Sequence, residues 1–183
     1  MILPSNFESI KPQDDIRRRI VPGGYIAQIK GYEDVESNTY IKLYIDIIGG
    51  DFDGYFAAEY KRNRDYNAQA KWSNGGTIYR SYSTKALPFF KGMITAIETS
   101  NEGYKFNPDD LDGLKYKMVG VIYGEEEYIG QDGQVKVSCK PRYICGVDKI
   151  KNGEYTVPEC KKLQTDPQSQ QDYTDYDDTQ LPF

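Results

Sequence analysis

Between Tyr60 and Lys85 the chain gathers six basic residues, Lys61, Arg62, Arg64, Lys71, Arg80 and Lys85, against a single acid, Asp65. Five aromatic residues, Tyr60, Tyr66, Trp72, Tyr79 and Tyr82, are interleaved with them. Cations at this density suit a row of phosphates, and flat rings suit stacked bases. Together they form the chemistry of a single-strand site indifferent to sequence, in which each stacked base contributes about 1–3 kcal/mol. Trp72, the only tryptophan, reads in two ways: as a stacking ring, or as the anchor that folds its loop back onto the domain. Tyr40, Lys42 and Tyr44 form a second candidate group, two aromatics flanking a lysine at alternate positions. Lys136, Lys140 and Arg142 extend the positive path, and Lys30 borders it.

Catalytic chemistry is poorly supplied. The chain has no His, which removes the usual general base and the Ser-His and Cys-His nucleophile pairs. Carboxylates occur as Glu125-Glu126-Glu127, Asp51 with Asp53, and Asp109-Asp110-Asp112. A metal-dependent nuclease would need such groups to converge on one cation. Consecutive Glu residues on a strand alternate faces, and the Asp groups sit beside Gly, where turn chemistry explains them. Three cysteines, Cys139, Cys145 and Cys160, form no CxxC pair and read as reduced thiols of a cytoplasmic protein. We expect no catalytic residue, no metal and no cofactor.

The positioning elements are mostly strands. Met1 to Pro22 reads as an arm with the basic cluster Arg17-Arg18-Arg19, and Tyr25 to Gly31 as a first strand. Tyr40 to Ile48 alternates cleanly, with Ile41, Leu43, Ile45 and Ile47 on one face and Tyr40, Lys42, Tyr44 and Asp46 on the other. Tyr55 to Tyr60 is predicted as a third strand, and residues 61–83 as irregular. Leu87, Phe90, Ile94 and Ile97 fall on one face of a helix over about 87–99, with Pro88 tolerated in its first turn. Strands over 115–128 and 135–147 flank a hairpin turn at Gln131-Asp132-Gly133. Three strands, a helix and two strands predict an all-β OB-fold, a five-stranded Greek-key barrel with one helix between strands 3 and 4.

The 183 residues carry a formal charge of −5. Five Asp residues and no Lys or Arg lie in residues 164–183, so the remainder is neutral. Gln, Ser, Thr and Pro fill most of that tail, which predicts a disordered acidic segment. It closes on Asp177-Asp178-Thr179-Gln180-Leu181-Pro182-Phe183. There an apolar plug with a carboxylate suits a pocket with a basic rim. Seventeen tyrosines add stacking faces with polar tips, and no apolar run reaches the length of a membrane span.

The tip, with Asp177, Asp178, Leu181, Pro182 and Phe183, resembles that of bacterial single-stranded DNA-binding proteins, although Leu181 stands where Ile is usual and Thr179-Gln180 interrupt the acidic run. In the body the quoted stretches are Phe89 to Glu98, Leu114-Lys115, Gly124-Glu125-Glu126-Glu127-Tyr128, Val147 to Gly153, and Val157-Pro158-Glu159. They resemble a family of small proteins from phages and prophages of Gram-positive bacteria, proposed to bind single-stranded DNA. The resemblance spans most of residues 20–163 and has no catalytic signature. It implies an OB-type fold and a place in phage replication or recombination.

We therefore expect an OB-fold single-stranded DNA-binding domain over 1–163, with an N-terminal arm at 1–22, and a protein-interaction tail over 164–183. The DNA-binding set is Tyr40, Lys42, Tyr44, Tyr60, Lys61, Arg62, Arg64, Tyr66, Lys71, Trp72, Tyr79 and Arg80. Expected partners are single-stranded DNA and replication or recombination proteins met through the tip, in the host cytoplasm and without a membrane; homo-oligomerisation is open. The rival is an OB-fold interaction adaptor without DNA affinity of its own.

Overall fold

The computed structural model describes Ser5, Phe7–Ser9 and residues 19–163. The tail with its tip, and Arg17 and Arg18 of the arm, lie outside the described residues. Five strands, β1 (Gly23–Val35), β2 (Tyr40–Ile47), β3 (Thr77–Ser81), β4 (Met118–Ile129) and β5 (Val135–Cys145), form one antiparallel sheet in the order β3-β2-β1-β4-β5. Among the described residues three α-helices accompany it: α1 (Tyr55–Tyr66), α2 (Leu87–Ser100) and α3 (Val147–Lys151). Among the described residues no helix is long and apolar enough to cross a membrane.

The predicted third strand is corrected. Tyr55 to Tyr60 are the first half of α1, and the actual third strand, β3, lies inside the stretch read as irregular. Ala57, Ala58, Glu59, Lys61, Arg62 and Arg64 favour a helix, and a residue of β2 caps it. Asp46 is buried, 2% exposed, and its Oδ1 accepts the N–H groups of Ile47 at 3.1 Å, Phe56 at 2.9 Å and Ala57 at 3.3 Å. A carboxylate beside the free N–H groups of a helix start supplies a cap the local sequence lacks. Asp46 thus leaves the solvent-facing row in which alternation alone would put it.

The core lies on the face of Ile41, Leu43, Ile45 and Ile47, joined by Ala27, Ile29, Val119, Val121 and Tyr123. Met93, Ile94, Ala96 and Ile97 of α2 pack against it. Leu87, predicted on the buried face, is instead exposed, while Phe90 packs edge-on against Tyr82 and Phe106. Asn101 ties the end of α2 to the start of β4: its Nδ2 donates to the carbonyls of Ile97 and Met118, and its Oδ1 accepts the Met118 N–H.

The opposite face of the sheet is divided. Over β1 and β4 the chain covers itself with α3 and the segment that follows. A Cβ on Gly24 would meet the Tyr155 ring at 2.5 Å, one on Gly120 would meet Ile150 at 2.7 Å, and one on Gly124 would meet Pro158 at 2.5 Å. Three glycines let this strap lie flat. It ends beside β4, where the Lys161 N–H donates to the Glu125 carbonyl and the Glu127 N–H donates to the Lys161 carbonyl, each at 2.9 Å. Over β2 and β3 the same face carries side chains of another kind.

Candidate nucleic-acid interface

Alternation sends Tyr40, Lys42 and Tyr44 to the side of the sheet opposite Ile41 and Leu43. The β2–β3 register sets Ser81, Tyr79 and Thr77 directly across from them. Residues facing each other across an antiparallel pair share a side, so Tyr79 joins this face. Its ring centroid lies 6.2 Å from that of Tyr40.

A second group of rings begins at Tyr44. Trp72 stands 6.4 Å from Tyr44 and 5.3 Å from Tyr60 of α1, and the Arg64 guanidinium lies 5.9 Å from the centre of the Tyr60 ring. Strand β2, the loop before β3 and helix α1 each contribute one ring. Trp72 is half-buried against the core and its indole N–H donates to the Gly76 carbonyl at 3.0 Å. It anchors its loop, and its flanks touch two of the candidate stacking tyrosines. Lys61, Arg62, Arg64 and Tyr66 are exposed on α1, Tyr66 at 87%, and Lys71 is exposed beside Trp72.

Arg80 does not share the site's face. It sits opposite Ile41 in the register, so its side chain leaves the sheet on the side opposite Tyr79. Neighbours on a strand point apart, and the irregular segment predicted over 61–83 hides the strand that separates Arg80 from Tyr79. The cations of β5 are matched locally. Lys136 pairs with Asp132 at 2.9 Å, and Lys140 and Arg142 share Glu126 at 3.3 and 3.2 Å. They close the β4–β5 hairpin rather than continue a positive path. Lys30 falls at a β-bulge between Ile29 and Gly31 and donates to Gln28 Oε1 at 2.7 Å.

Sequence reasoning missed Glu33. It lies opposite Lys42 across β1 and β2, where its carboxylate accepts from Lys42 Nζ at 3.0 Å and from the Tyr44 hydroxyl at 2.7 Å. Those two donors, Tyr44 first, hold the Glu33 carboxyl below its ordinary range. Burial, and then the hydrogen bond to Glu33, push the Tyr44 phenol up. The face is therefore aromatic and close to neutral at its centre, with Arg64 of α1 beside Tyr60 and Lys71 beside Trp72 at its edge. Glu33 lies past the predicted end of the first strand and beyond the bulge, so its face could not be counted from sequence.

Several of the other carboxylates have structural partners. Asp53 accepts the Gly49 N–H at 2.6 Å, Asp112 accepts from Tyr32 and Lys115, and Glu127 accepts from Lys162 and the Leu163 N–H. Among the described residues no group of three or more His, Cys, Asp or Glu side chains is placed to hold a metal ion. Burial raises the Cys139 thiol to about 11, which leaves it a poor nucleophile at neutral pH. No protein-family model matches the chain, and none of the curated proteins matches it. The reading of this face rests on its own chemistry.

Proposed function

We propose that the protein binds single-stranded DNA without sequence preference, through the β2–β3 face and the α1 ridge, as part of phage replication or recombination. One observation carries the reading: Tyr40 and Tyr79 on one side, and Tyr44, Trp72 and Tyr60 on the other, form two groups of rings on a sheet face, with Arg64 beside Tyr60 and Lys71 beside Trp72. Bases would stack on the tyrosines while phosphates follow the ridge. The strand order supports closure into an OB-type Greek-key barrel, since β1 pairs with both β2 and β4. Residues 77–80 of β3 and Pro141, Arg142 and Ile144 of β5 also line a common crevice of about 20 Å³. The acidic tail would recruit partner proteins through Leu181-Pro182-Phe183.

The Glu33 carboxylate favours a second reading, an adaptor of the same fold without DNA affinity, because it neutralises Lys42 at the centre of the face. Binding of oligo-dT by the full chain and by a chain lacking residues 164–183, at two salt concentrations, separates the two. Single-strand binding through the ridge predicts a log–log salt slope of about −0.7 per phosphate contact. Removal of five negative charges should strengthen binding at low salt with the melting temperature unchanged. Absence of binding by either chain at low salt would select the adaptor.

A further inference from the structure

The centre of the β2–β3 face holds a charge that phosphate binding does not explain. Glu33 of β1 stands directly across from Lys42 of β2, and Tyr79 of β3 flanks Lys42 on its other side. Along β2, Lys42 lies between Tyr40 and Tyr44, where the two groups of rings begin. A single strand that stacks on both groups therefore passes over the Glu33–Lys42 pair. A carboxylate in that place repels phosphate. What it can meet favourably is the edge of a base.

The pair is oriented and open. Gly31 leaves room for the Tyr44 ring over β1, since a Cβ there would meet only Tyr44 Cδ2, at 3.5 Å. The Tyr44 hydroxyl thereby reaches one Glu33 oxygen at 2.7 Å, while Lys42 Nζ holds the other at 3.0 Å. The Glu33 side chain is still 48% exposed. Its two donors keep it ionised at neutral pH, so it can only accept, and each oxygen retains a further lone pair. Lys42 Nζ has N–H groups beyond the one given to Glu33. Free donors thus lie beside two free acceptor positions. A base lying over the pair shuts out water, and every polar group it leaves unmatched then costs free energy. Guanine presents one acceptor, O6, next to two donors, the N1–H and the N2 amino group. Thymine presents an acceptor and a single donor, while adenine and cytosine set one amino group beside a ring acceptor.

We propose that Glu33 and Lys42 form a guanine subsite in the single-strand track, the carboxylate accepting from N1–H and the N2 amino group and Lys42 donating to O6. The subsite rests on the β2–β3 reading. It adds one position at which base identity matters to a track that is otherwise indifferent to sequence.

The test uses the full chain and three strands of about 15 nucleotides: all thymine, thymine with guanine at every third position, and the same strand with inosine for guanine. Inosine keeps the purine stacking area, O6 and N1–H and lacks only the N2 amino group. Wild type should bind the guanine strand about tenfold more tightly than the inosine strand. Glu33→Gln should bring that ratio below about twofold, yet bind the all-thymine strand no more weakly than wild type. This reversal of sign separates base reading from a merely structural role. Equal wild-type affinity for the guanine and inosine strands, both being bound, would overturn the subsite without any variant and leave the β2–β3 face intact. A tenfold ratio that survives in Glu33→Gln would also overturn it, because the amino group would then be read elsewhere. Failure of wild type to bind any of the three strands would overturn the face itself, and the subsite with it.

Discussion

The two halves of one sheet face have opposite fates. Over β1 and β4 the positions are Gly24, Gly120 and Gly124, and the chain lays Tyr155, Ile150 and Pro158 directly on them. Over β2 and β3 the positions are Tyr40, Lys42, Tyr44 and Tyr79, and no element of the described chain is strapped across them. Glycine invites the chain's own return. The tyrosines there stay half-buried, packed on one another and, at Tyr44, on Trp72. The same backbone thus carries a packed strap on one half and a row of aromatic side chains on the other.

The largest expected effect breaks the covered half. A Cβ at Gly120 would lie 2.9 Å from the Cys145 sulfur and from the Gly146 carbonyl oxygen, besides Ile150. Gly120→Val should therefore destabilise the fold by about 2–3 kcal/mol, seen as a fall of about 5–10 °C in melting temperature. The affinity of the folded fraction for oligo-dT should stay the same. Loss of binding at an unchanged melting temperature would mean the covered half takes part in recognition.

The open half should behave in reverse. Tyr40→Ala combined with Tyr79→Ala should weaken oligo-dT binding by about 10- to 100-fold and shift the melting temperature by only a few degrees. A large drop in melting temperature with full affinity would make this face structural. A smaller effect is expected at Glu33. Glu33→Gln leaves Lys42 without its carboxylate and should raise affinity about threefold at low salt, and less at high salt. A fall in affinity would show that the carboxylate orients Lys42 and Tyr44 for the ligand.

The smallest effect is a constancy in pH. The folded Glu33 carboxyl titrates below its ordinary value of 4.5. A carboxylate lowered by folding keeps its contribution above the unfolded value and loses it only as pH falls through the folded one. The ratio of Glu33→Gln to wild-type affinity should thus be equal at pH 7 and pH 5. A ratio closing toward one at pH 5 would place the titration higher than this geometry allows.

Much of the architecture was legible because burial wrote a period into the chain. Ile41, Leu43, Ile45 and Ile47 announced β2, Ile94 and Ile97 announced α2, and Gln131-Asp132-Gly133 announced the hairpin. Helix α1 was not legible: Tyr55, Phe56 and Tyr60 favour strands, and its cap comes from Asp46, which folding brings to it. With β3 hidden, the register that turns Tyr79 to one side and Arg80 to the other could not be counted. The residue types of the candidate site could be read from sequence. Their pairing could not, and so Glu33, matched to Lys42 only by the β1–β2 register, went unseen.

The junction at Lys161 has a mechanical consequence. The last described residues are joined edge-on to β4 by two backbone hydrogen bonds, the Lys162–Glu127 ion pair and the Leu163 N–H on Glu127. A pull on whatever follows Leu163 is therefore delivered to β4 at Glu125–Glu127 instead of being dissipated in a slack hinge. Because β4 is hydrogen-bonded to both β1 and β5, the load spreads into the middle of the sheet. A molecule tethered through its C-terminal segment would resist a steady tug until this short seam of bonds peeled.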